Sequence, residues 1–87
     1  MASALTPREK EVVRLASLGC TSVEIGRILK LVPSTVVSHK ARAMAKLGTD
    51  KVTLLTRLAI KLKITDMKDK LTPIEQRRSG RSNDGWN

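Results

Sequence analysis

Apolar residues recur at helical spacing in four blocks, and each block is framed by residues that start or stop helices. The first block is "LTPREKEVVRLASLG". Thr6 suits an N-cap, Pro7 the first helical position, and Glu9 the third, which together make a capping box. Val12, Leu15, Ala16 and Gly19 follow, predicting a helix over about Pro7–Leu18. In "CTSVEIGRILKL", Thr21 and Glu24 repeat the capping box, and Ile25, Ile28 and Leu29 form an apolar face. The predicted helix, about Ser22–Lys30, is too short to stand without packing on neighbours. Gly26 in its middle costs about 1 kcal/mol relative to alanine. Close approach of another helix would account for it.

Only Leu31 and Val32 separate this helix from Pro33. A tight turn between two short helices is the outline of a helix-turn-helix. Pro33 starts the third helix and Gly48 ends it, giving Pro33–Leu47. Val36, Ala43 and Leu47 form its inner stripe, widened by Met44, so Val37, Ser38, Lys40, Ala41 and Arg42 point partly or wholly outward. The fourth block, "TDKVTLLTRLAIKLKI", begins with Thr49 or Asp50 as cap. Val52, Leu55, Ala59 and Leu62 make one stripe. Leu54 and Leu58 make a second beside it, so either the helix is deeply enclosed or it pairs with another copy of the chain, and in so small a domain pairing is favoured.

The pattern predicts an all-α fold: a compact four-helix domain over residues 1–65, with a central helix-turn-helix and a C-terminal dimerisation helix. Residues 66–87 lose the periodicity and read as an extension, largely disordered, with disorder expected from about Ser79. Thr72, Pro73 and Glu75 repeat the capping-box spacing and allow one short extra helical turn.

Composition narrows the function. The chain has 87 residues, one Trp (Trp86), and no Phe or Tyr, so its core must be aliphatic. That favours packed helices over a sheet. Of the net charge of +9, residues 1–65 carry +8. No acid occurs between Glu24 and Asp50, where Arg27, Lys30, Lys40, Arg42 and Lys46 lie. A one-signed surface of this kind points to a polyanion, nucleic acid first among them. One Cys and one His cannot build a metal site or an internal disulfide, and Cys20 reads as a small buried hydrophobe in a reducing compartment. No apolar run reaches membrane-spanning length and no signal-peptide pattern is present, so a cytoplasmic location is expected. There is no acid pair, no nucleophile beside a base and no glycine-rich phosphate loop, so neither an enzyme nor a cofactor or small-molecule ligand is expected.

Four pieces, "LTPREKEVVRLASLG", "EIGRIL", "STVVSHKARAMAKLG" and "VTLLTRLAI", resemble the LuxR/GerE type of DNA-binding domain found in bacterial response regulators and quorum-sensing receptors. The likeness covers residues 5–64. It runs through Leu5-Thr6-Pro7-Arg8-Glu9, Glu24-Ile25, Thr35-Val36, His39 and Lys46-Leu47-Gly48, with Gly26 standing for the usual alanine. The resemblance implies a four-helix domain, dimerisation through the fourth helix by Leu54 and Leu58, and a two-fold operator on double-stranded DNA. RNA polymerase is a further partner it allows. It also implies a structural, partly buried His39.

On the docking geometry of a recognition helix, Val37, Ser38, Lys40 and Ala41 become candidates for base contact. Thr35, Arg42 and Lys46, with Thr21 and Ser22 at the start of the second helix, become candidates for phosphate contact. Two positions depart from the family: Val37 replaces a usual lysine, and Ala41 stands where several members are polar or basic. Both suit thymine methyl groups, an apolar readout; the alternative is weakened specificity. Two other readings stay open on the sequence. One is a promoter-binding module like region 4 of a sigma factor. The other is a protein-interaction module of weak DNA affinity.

Overall fold

Three helices begin on the same device. In the computed structural model, which describes residues 4–80, Thr6, Thr21 and Thr72 each accept a hydrogen bond from the amide three residues on. The glutamate at that third position bonds back to the threonine amide, completing three capping boxes. They open α1 (Pro7–Ser17), α2 (Ser22–Leu29) and α5 (Pro73–Ser79); α3 (Pro33–Leu47) and α4 (Val52–Lys61) complete the set. No strand occurs among the described residues.

Four helices also end alike. A left-handed residue follows the helix, and the next amide reaches back to a carbonyl five residues earlier: Cys20 to Leu15, Leu31 to Gly26, Thr49 to Met44 and Ile64 to Ala59. This satisfies carbonyls that a helix end would otherwise orphan. Gly19 and Gly48 take the left-handed position at φ 90° and 72°, whereas Lys30 and Lys63 take it at φ 59° and 61°. A lysine there pays the steric penalty that glycine avoids.

α1 lies at the centre. Val12, Leu15 and Ala16 join Leu18, Cys20, Ile25, Ile28, Val36 and Leu71 in one buried cluster. On the other side, Val13 packs with Ala43, Leu55 and Ala59, flanked by Leu5, Met44, Leu47 and Ile64. Each fully buried Val or Leu stabilises the fold by about 1.5–3 kcal/mol, an upper estimate given a compact unfolded chain. The predicted inner stripe of α3 is the observed one: Val36 and Ala43 are fully buried, and Leu47 is half-buried.

The four helices expected over residues 1–65 are α1–α4, and the short extra turn expected at Thr72-Pro73-Glu75 is α5. The structure corrects four expectations. Residues 66–80, expected as a largely disordered extension, pack on the domain. Leu71 enters the first cluster, and α5 lies against α2. Arg14 clamps the segment: its guanidinium meets Asp69 at 2.8 Å and Glu75 at 2.8 Å, and donates to the Lys70 carbonyl. Arg78 donates to the Ile28 carbonyl and Arg27 to that of Ser79. One leucine and a set of ion pairs leave no periodic trace in a sequence. The remaining residues assigned to disorder, 81–87, lie outside the described ones.

The second correction concerns Gly26. A Cβ here would run into the Leu31 carbonyl oxygen, with the Pro33 nitrogen close behind. What approaches is the chain's own turn rather than another helix. Third, α4 starts at Lys51 without a side-chain cap, because Thr49 bonds to the Lys51 backbone instead. Finally, the inner stripe of α4 is half as long as its pattern implied. Leu55 and Ala59 are buried, while Val52 and Leu62 are 46% and 51% exposed.

Candidate nucleic-acid interface

α3 buries one side and leaves the other bare. Pro33, Ser34, Val37, Ser38, Ala41, Arg42 and Ala45 are exposed; Thr35, His39 and Lys40 are half-buried at the margins. Helical spacing sets Val37, Ala41 and Ser38 along the middle of the bare side, Lys40 at one edge, and Thr35 with Arg42 at the other. Cationic edges therefore flank a centre without charge. The residues expected to contact bases thus share one exposed surface, with Lys40 at its rim.

Local chemistry shapes the centre. The Ser38 hydroxyl donates to the Ser34 carbonyl, 3.1 Å away, one turn back. Val37 is 49% exposed although this chain is short of large core residues. His39 anchors from the margin, its Nδ1 enclosed and without a hydrogen-bond partner among the described residues.

Thr21 and Ser22 begin α2. The Thr21 oxygen accepts from the Glu24 amide at 3.2 Å, and a hydroxyl that accepts keeps its own proton to donate. Thr21 is exposed and Ser22 half-buried. Lys30, absent from the sequence-derived set, stands exposed in the turn between α2 and α3. The signal for it was a basic residue inside the helix-turn-helix turn itself. Arg27, three residues before it, is tied back toward α5.

Lys46 does not belong with the outward residues. Its ammonium lies 2.8 Å from Glu9 Oε1 and also donates to the Ala4 carbonyl. Glu9 is only 2% exposed. The Lys46 ammonium, followed by the Thr6 amide, holds its carboxyl below the usual carboxylate range despite burial. A lysine paired with a buried carboxylate positions α3 on α1, with two of its three N–H donors engaged inside the domain. Nothing in residue order signals this pair, since the spacing of Glu9 from Thr6 points only to a capping box.

A bare helix with charged edges, presented by a tight helix-turn-helix, is the geometry expected of a groove reader. Residues 3–59 match the family described as bacterial regulatory proteins, luxR family. The chain belongs to that family. Among luxR-family relatives, it is 47% identical over 60 residues to the transcriptional activator protein BjaR1 of Bradyrhizobium diazoefficiens, covering 69% of this chain and 25% of that protein. It is 39% identical over 69 residues to VjbR, an HTH-type quorum sensing-dependent transcriptional regulator of Brucella ovis and Brucella melitensis, covering 79% of this chain and 27% of theirs. The chain thus spans about a quarter of the length of these luxR-family relatives. No solved structure matches it. Among the described residues, no cluster of three metal-ligating side chains occurs, and no helix is long and apolar enough to cross a membrane.

Proposed function

We propose that this chain is the DNA-binding module of a bacterial transcription regulator, with α3 lying in the major groove of double-stranded DNA. The bare face of α3, neutral along its middle and cationic at both edges, carries this reading. Val37, Ser38 and Ala41 face base edges, with Lys40 reaching a base or a phosphate. Thr35, Arg42, Thr21 and Ser22 hold phosphates, joined by Lys30. Phosphate contacts set affinity and register, and base contacts set sequence. Regulation of transcription follows the relatives' names.

The same reading pairs two copies through α4. Leu54 is 42% exposed, Leu58 half-buried, and a shallow depression beside them runs to Gly48 and Thr49. Two copies related by a two-fold axis fit a two-fold operator. Leu54→Glu tests this by sedimentation at raised concentration: a dimer that becomes a monomer supports the pairing, and a monomer before and after refutes it.

The deciding experiment is a mobility shift on duplex DNA at two salt concentrations. If about six phosphates are neutralised per dimer, affinity falls roughly a thousandfold for a fourfold rise in salt. Lys40→Glu with Arg42→Glu abolishes the shift. A flat salt response, or binding that survives both substitutions, rejects the proposal.

A further inference from the structure

We infer that the outward face of α3 reads A·T base pairs, taking thymine by its 5-methyl group and adenine by its amino group. The inference rests on the proposed DNA contact and gives it a sequence. Val37 presents a branched aliphatic side chain to water at the centre of the bare face. Ala41, one turn on, adds a methyl on the same face. Ser38 lies beside Ala41 around the helix, on the side away from Val37, and its hydroxyl proton is committed to the Ser34 carbonyl at 3.1 Å. Its outward lone pairs therefore accept rather than donate.

These three side chains offer methyl surface and an acceptor, and no donor. The major groove discriminates on that basis. Guanine shows two acceptors there, and finds nothing in this patch to bond. Cytosine shows an amino donor but no methyl, so Ser38 is used while Val37 and Ala41 are left against bare ring edge. An A·T pair shows both an amino donor and a methyl. Lys40 and Arg42, the groups able to bond guanine acceptors, stand at the two edges, where phosphates line the groove.

The test starts from duplexes recovered from a random pool by the 87-residue chain. Each is resynthesised with deoxyuridine for thymidine, which removes the methyl and keeps base pairing and phosphates. A second set carries purine for adenine, which removes the amino group. At fixed salt, the uridine duplex binds about fourfold more weakly for every methyl covered. Val37→Ala reduces that loss, and Ser38→Ala reduces the loss on the purine duplex. Val37→Lys moves the recovered sites toward guanine. Equal affinity for thymidine and deoxyuridine duplexes, or recovered sites whose shared base pairs are G·C, overturns the readout and leaves DNA binding standing. Absence of salt-dependent binding to any duplex overturns both.

Discussion

Lys46 Nζ and Glu9 Oε1 meet at 2.8 Å across the packing of α3 on α1. The carboxylate is buried, and the lysine is its charged partner. Removing the lysine would leave an uncompensated carboxylate in the interior. The pair therefore fixes how far α3 stands from the body of the domain.

This separates Lys46 from its basic neighbours in a measurable way. Arg42→Met lowers the slope of log affinity against log salt by about 1, as loss of one phosphate contact should. Lys46→Met lowers thermal stability and leaves that slope unchanged. A reduced slope for Lys46→Met shows that it contacts phosphate after all.

Acid should loosen the clamp on Arg14. The Arg14 guanidinium, then the Thr65 hydroxyl, holds the Asp69 carboxyl below its ordinary range. For Glu75 burial works the other way, and the Thr72 amide with Arg14 outweighs it, so this carboxyl is also lowered. Both pKa values are lower folded than unfolded, so the unfolded chain binds more protons in acid. Their stabilisation is complete above the unfolded carboxylate range and is lost as pH falls through the folded values. Urea melts at neutral and acid pH show this loss, and Asp69→Asn makes it smaller.

Leu71 gives a direct measure of whether residues 66–80 belong to the domain. It is 4% exposed and packs in the same cluster as Val12 and Ile28. Leu71→Ala costs about 2–4 kcal/mol in denaturant melts, within a single transition. A loss below about 0.5 kcal/mol would mean that the segment contributes nothing to the fold.

Lys63 occupies a left-handed position at φ 61° without using its charge in an ion pair among the described residues. Glycine fits that backbone without a clash. Lys63→Gly is expected to raise stability by up to about 1 kcal/mol, the αL penalty less glycine's greater unfolded entropy. Calorimetry reads this as a higher Tm; a lower Tm counts against it.

The sequence made most of the helices legible because their signals are local. Thr6-Pro7-Glu9 and Thr21-Glu24 are complete within four residues, and Pro33 to Gly48 marks α3 at both ends. What it hid lies in long-range partners. Arg14 finds Asp69 and Glu75 far along the chain, Lys46 finds Glu9, and nothing in residue order joins them. The site was readable as a face, since helical periodicity separates Val36 and Ala43 from Val37 and Ala41. The commitment of Lys46 and the committed proton of Ser38 needed coordinates.

Gly26, pressed against the Leu31 carbonyl, leaves no slack between α2 and α3. A module built this way has no hinge at its reading head. On the pairing proposed above, two such units could differ only in their distance and rotation relative to each other, so the spacing of the two DNA sites, and not the shape of either reading head, is what a change in the pair would alter.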